Sequence, residues 1–136
     1  MTEKIKMLKI IHLAISAGLI VVYVIFGDLF SFDYLKLPTV DSSSIVYLLI
    51  PILAVISGNL LFKSQLKSVD PKLPIEDKLT VYQTASIMRW AILEVAAFLI
   101  LFLKPDFLIF GILIIIYLFL IRPTEKQIKK DFETLN

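Results

Sequence analysis

Residues 79–103 read LTVYQTASIMRWAILEVAAFLILFL. The run is long enough to cross the roughly 30 Å hydrocarbon core of a bilayer as an α-helix, which takes about 20 mainly apolar residues. It nevertheless carries Arg89 and Glu94 near its middle, roughly 15 Å and 22 Å beyond Leu79 at about 1.5 Å per residue. An ionised side chain at that depth costs at least about 2.5–3.5 kcal/mol on insertion scales, so it is retained where a partner or a task holds it. The spacing of five sets the two groups about 140° apart around the helix, outside the favourable i+3 and i+4 pairs. Contact through a second helix, a water or a neighbouring subunit is therefore expected in place of a direct bond.

Composition points the same way. The chain has 136 residues, 58% of them hydrophobic and only 19% charged, with a mean hydropathy of +0.86. Soluble domains average about 45–50% apolar and about 25% charged, and one of this size could not hide so much apolar surface. Disorder, collagen and a disulfide scaffold are excluded by the same figures. There is no cysteine, which removes disulfides, thiolate catalysis and zinc–sulfur sites. A single histidine, His12, removes a His-rich metal site or a bis-His haem within one chain.

Three further apolar runs complete the expectation of an all-α, integral membrane four-helix bundle forming one domain over 1–136. They cover about 8–30, broken only by His12 and Ser16; 45–62, with Pro51 and Ser57-Gly58-Asn59; and 107–121, where Tyr117 has the one polar group. The last is short enough to borrow flanking residues or to sit where the bilayer thins. Lys4, Lys6 and Lys9 precede the first run, as in a signal peptide. That run exceeds an h-region of roughly 7–15 residues and no small-x-small pattern follows, so it is expected to be retained.

Charge sets the orientation. The N-terminal segment holds Lys4, Lys6 and Lys9, the 63–78 loop Lys63, Lys67, Lys72 and Lys78, and the C-terminal segment Arg122, Lys126, Lys129 and Lys130. The opposite side has only Lys36 and Lys104, so both termini are expected in the cytoplasm. Asp41 and Ser42 to Ser44 are candidate caps for the second helix. Pro74, followed by Glu76 and Asp77, suits the start of a third helix running from about 74 to 103. Lys104-Pro105-Asp106 reads as a tight turn into an antiparallel fourth span. Thr124-Glu125-Lys126-Gln127 matches a capping box. Ile128, Phe132 and Leu135 then line one face, opposite Lys126, Lys129 and Lys130. In the 124–136 segment this predicts a short amphipathic helix on the leaflet, its lysines against lipid headgroups.

Polar residues gather in the cytoplasmic half: His12, Ser16, Ser57, Asn59, Tyr82, Gln83 and Ser86. With Ala14-x-x-x-Gly18 and Ala54-x-x-x-Gly58 as small faces for helix contact, they predict a polar pocket with Glu94 at its deepest point. A kink is expected at Pro51, which frees the carbonyl of Tyr47. Trp90, deeper than an interfacial belt, should pack on protein, and the fourth span should face lipid. Three uses of Arg89, Glu94, Tyr82, Gln83, Ser86, His12 and Asn59 are open. They can form a buried network fixing the helices, they can serve ion coupling through Glu94, or they can present a surface to a partner helix or headgroup.

Arg89-Trp90-Ala91-Ile92-Leu93-Glu94, with Tyr82-Gln83 ahead and Arg122-Pro123-Thr124 behind, resembles a group of uncharacterised small four-span bacterial membrane proteins. That resemblance implies the bacterial inner membrane and brings no activity with it. Residues 45–103 are also similar to the ATP synthase proteolipid, the c subunit. That family's hairpin has a polar cytoplasmic loop and an ion-carrying carboxylate in its second helix, a role that would fall to Glu94. The chain departs from that pattern: its second span lacks dense glycines, its loop has no Arg-Gln-Pro, and two spans flank the hairpin. No nucleophile–base pair, phosphate-cradling glycine loop or metal-ligand spacing is present, so no enzyme and no cofactor are expected. Eleven bases against seven acids on the cytoplasmic side suit membrane lipids rather than nucleic acid. The expectation is an accessory or scaffold subunit, a homo-oligomer or a companion of other membrane subunits. The alternative is a proton- or cation-coupled transporter or channel component acting through Glu94.

Overall fold

The computed structural model describes residues 2–134. Within them the chain is all-α and has no strand. Five helices run in order: α1 Thr2–Phe26, α2 Ile45–Lys67, α3 Ile75–Leu103, α4 Leu108–Leu120 and α5 Glu125–Glu133. Short 3-10 turns lie at Leu29–Ser31, Asp33–Leu35 and Pro105–Phe107.

Three helices, Glu3–Phe26, Ile45–Lys67 and Ile75–Leu103, are long and apolar enough to cross a membrane. The fourth apolar run is not. With 13 residues α4 rises only about 20 Å. It reaches a spanning length only if joined to α5, which is turned from it by 90°. Pro123 explains the break, because a residue preceding proline is pushed out of the helical region. Thr124 then caps the new helix, its hydroxyl accepting from the Gln127 amide at 3.1 Å. The first helix also differs from the 8–30 run. It begins at Thr2 and stops at Phe26, because Asp28 takes a left-handed φ of 49° that no continuing helix permits.

α3 is the axis of the bundle, with α1, α2 and α4 packed around it. The stripe that α1 buries, Ile5, Leu8, His12, Ser16, Leu19 and Tyr23, follows helical spacing. From α2 it takes Ala54, Gly58, Phe62 and Leu66, one residue per turn. The expected small face Ala54–Gly58 thus lies in the interior, whereas Ala14 and Gly18 are exposed and Gly18 has open space around it. α2 continues helically through Pro51. The tightest crossing joins α1, α3 and α4: the buried Tyr23 hydroxyl donates to the Ala97 carbonyl at 2.6 Å, against the bare backbone of Gly111. The outside of the long helices is apolar, with Leu13, Ile25 and Leu60 each more than 60% exposed.

Asp41 organises the entry to α2 from outside the helix. Its carboxylate accepts from the Ser43 hydroxyl at 2.7 Å and from the Ser43 and Ser44 amides at 3.1 and 2.9 Å. The Ser43 hydroxyl bond, then the Ser44 amide bond, hold its carboxyl down at about 2. The charged form is favoured by folding. Its contribution is therefore complete above the free-chain value of 3.8 and is lost as pH falls through about 2. In an acid titration followed by NMR, the Ser43 and Ser44 amide shifts should move with a midpoint near 2; a midpoint near 3.8 would show the turn to be open.

α5 does not lie free with its apolar face outward. Ile128 is 1% exposed and Phe132 is half-buried, its ring 5.6 Å from that of Tyr82. The apolar face is spent on the bundle, where it closes the end between α2 and α3. Leu135, the third expected residue of that face, lies outside the described residues. Lys126, Lys129 and Lys130 remain exposed, and Lys129 pairs with Glu125 at 3.4 Å.

Candidate functional site

One end of the bundle gathers the N-terminal end of α1, the 68–74 connection and α5. Lys4 ties α1 to the first turns of α3, its Nζ donating to the Glu76 carbonyl at 2.8 Å and to the Thr80 hydroxyl at 2.9 Å. Just inside this end, Gly58 lets α2 approach α3 so closely that a Cβ there would lie 3.3 Å from Arg89 Cγ. The close approach lays the Arg89 guanidinium over the Phe62 ring, 3.8 Å from its centroid, a cation–π stack of short reach. Arg89 Nη1 donates to Asn59 Oδ1 at 3.3 Å, and Asn59 Nδ2 donates to the Tyr117 hydroxyl at 2.9 Å. α2, α3 and α4 are thus joined by one polar chain. Among the described residues Arg89 has no carboxylate ion partner, and its Nε is buried without a hydrogen bond.

A second polar chain fixes α5. The Tyr82 hydroxyl donates to Asp131 Oδ2 at 2.6 Å and Gln127 Nε2 donates to Asp131 Oδ1 at 2.7 Å. Gln127 therefore serves Asp131 and leaves the second half of the expected capping box unmade. Between the two chains lies a cavity of about 270 Å³, lined by Asn59, Phe62, Lys63, Lys67, Arg89 and Asp131, with Leu66 and Thr134. It holds three cations and one carboxylate. Both carboxylate oxygens of Asp131 already accept a hydrogen bond, and the three cations leave the cavity lining with a net positive charge.

The remaining expected residues lie elsewhere. His12 is buried on the other side of α3, its Nε2 donating to the Leu118 carbonyl at 2.8 Å. It thereby satisfies one of the last-turn carbonyls that a helix end leaves open, here that of α4. Its ring meets Trp90 edge-on at 4.8 Å, and Trp90 is fully buried on protein as expected. Ser86 is buried one turn from Tyr82, and Gln83 is half-buried with no hydrogen bond among the described residues. Glu94 is not the floor of the cavity. It is half-buried on α3, does not line that cavity, and has no hydrogen bond or ion pair among the described residues.

Sequence reasoning missed Asp131, Tyr117, Lys63 and Lys67 as members of one site. α4 was expected to face lipid, yet its Tyr117 anchors Asn59 and its Leu118 carbonyl anchors His12. No periodic signal could have paired Asn59 with Tyr117, 58 residues on, or Tyr82 with Asp131, 49 residues on. Compared with family models, with curated proteins and with solved structures, the chain finds no match in any of the three.

Proposed function

We propose that the chain is an integral protein of the bacterial inner membrane, both termini cytoplasmic, that serves as a non-enzymatic accessory or scaffold subunit of a larger assembly. The exposed apolar sides of α1, α2 and α3 support insertion. The N-terminal end of α1, the 68–74 connection and α5 share one end of the bundle, which supports a chain returned to its starting side by α4 and its flanking turns.

Glu94 carries the proposal of an assembly. A half-exposed carboxyl midway along α3, with Ala91 and 56% exposed Val95 near it in the helix, has no partner among the described residues. In hydrocarbon such a group is held by another helix or by a task. A neighbouring subunit that donates to Glu94 supplies the missing bond, and the exposed Ala14–Gly18 face of α1 offers a second close approach. The same unpaired carboxyl favours the second reading, in which Glu94 exchanges a proton or cation during transport.

Glu94→Gln and Glu94→Leu separate the two. For a scaffold, Glu94→Leu weakens association with co-purifying membrane proteins in mild detergent by roughly threefold to tenfold, the worth of one interhelical hydrogen bond. Glu94→Gln, which keeps an acceptor, loses less, and the parent conducts no ions in liposomes. An ion flux in the parent that Glu94→Gln abolishes while assembly stays intact would establish transport instead.

A further inference from the structure

The basic cavity is continued along the bundle by an apolar groove. Between α2 and α4 runs a cleft of about 430 Å³ lined by Pro51, Ile52, Val55, Ile56, Leu113 and Tyr117, among others. Its lining is open to the outside, with Ile52, Ile56 and Leu113 each about half exposed. The two spaces share one boundary: Tyr117 lines the groove, Asn59 lines the cavity, and the two are hydrogen-bonded. Along α2 the order is Lys67, Lys63, Asn59, then Ile56, Ile52 and Leu48, so charge passes into hydrocarbon within a few turns. From Ile56 to Leu48 is about 12 Å of helix, close to the half-thickness of a core roughly 30 Å deep.

We infer that this composite site binds one anionic phospholipid, its phosphate between Lys63, Lys67 and Arg89 and one acyl chain in the α2–α4 groove. Charge complementarity selects the occupant. Lys63 and Lys67 are exposed with no partner among the described residues, Arg89 lines the same space, and the single carboxylate there, that of Asp131, leaves the lining net positive. Arginine matches phosphate oxygens with its fork of donors, and lysines add point charge. Basic pockets between helices at the cytoplasmic side suit acidic headgroups, whereas a choline or ethanolamine cation would meet the lysines with like charge. The assignment of the phosphate to a lipid rests on the membrane proposal above.

The test uses the full chain in mild detergent, offered equal amounts of phosphatidylglycerol and phosphatidylcholine with the same acyl chains, with retained lipid read by native mass spectrometry. Phosphatidylglycerol should be retained in preference. The double variant Lys63→Gln/Lys67→Gln should lower that preference by roughly 25-fold, about fivefold for each lysine. Ile56→Trp, which fills the groove, should reduce retention of both lipids. The triple variant Lys126→Gln/Lys129→Gln/Lys130→Gln, on the exposed side of α5, should change nothing. Equal retention of the two lipids, selectivity that survives the double variant, or selectivity lost in the triple variant would each overturn the site. So would displacement of the lipid by soluble glycerol phosphate, which needs no groove. Fractionation of the same chains in carbonate-washed membranes is scored separately. A chain washed off refutes the membrane proposal itself, whereas one that stays but shows no selectivity refutes only the lipid site.

Discussion

Adding a single carbon at Gly111 is expected to cost about 3 kcal/mol of stability, at the upper end for overpacking because a hydrogen bond goes with it. A Cβ there would overlap the Tyr23 hydroxyl and lie 2.7 Å from its Cζ. Tyr23 is fully buried and its hydroxyl is committed to the Ala97 carbonyl at 2.6 Å, so the ring has nowhere to retreat without breaking the α1–α3 crossing. Unfolding of Gly111→Ala in detergent measures the loss. The mechanism is checked in a Tyr23→Leu background, where the obstructing ring is gone. There Gly111→Ala should cost less than about 1 kcal/mol, a coupling between neighbours that independent sites do not show. Full, additive losses would mean that the three helices are not interlocked at this point.

Trp90→Ala is the second large effect, about 3–5 kcal/mol. The indole is completely buried at the centre of α3 and stands T-shaped to the His12 ring, which in turn holds the end of α4. Truncation removes the packing of three helices at one point. Trp90→Phe should behave differently. The indole Nε1 is buried with no hydrogen-bond partner. Phenylalanine gives up volume but also removes an unsatisfied donor that itself costs about 1–3 kcal/mol. The net change should stay within about 1.5 kcal/mol, read by the same unfolding measurement. A Phe variant as damaged as the Ala variant would show that the Nε1 donor is satisfied in solution.

The contrast between these residues and the polar ones shows what the amino-acid sequence carries. The apolar run ends α3 at Leu103, Pro74 followed by Glu76 and Asp77 places its start to within a residue, and composition puts Trp90 in the interior. Helix ends were harder. α1 stops where Asp28 turns left-handed, four residues before the apolar run does, and apolar content alone has no term for that. The polar site was legible only as a list of residues out of place. Among the described residues Arg89 and Glu94 do not bond to each other. Which of them joins the polar cavity depends on which side of α3 receives α2, and that is decided by Gly58 packing on Arg89. Asp131 was hidden because a short helix with lysines on one face reads as a surface helix. The burial of Ile128 and the hydrogen bond from Tyr82 to Asp131 show that it docks on protein.

The brevity of α4 has a mechanical consequence in the bilayer proposed above. Three flanks of the molecule offer hydrocarbon contact of ordinary height, while the flank at α4 offers about 20 Å. Lipids along that side must tilt or compress to meet it, at a fraction of a kcal/mol for each ångström of mismatch. In that bilayer the strain would be one-sided, and the protein would sit in the sheet as a wedge with a preferred low edge. Subunits that are themselves short, or copies that bring two low edges together, relieve it. The membrane would then help to choose which side of this protein faces its neighbours.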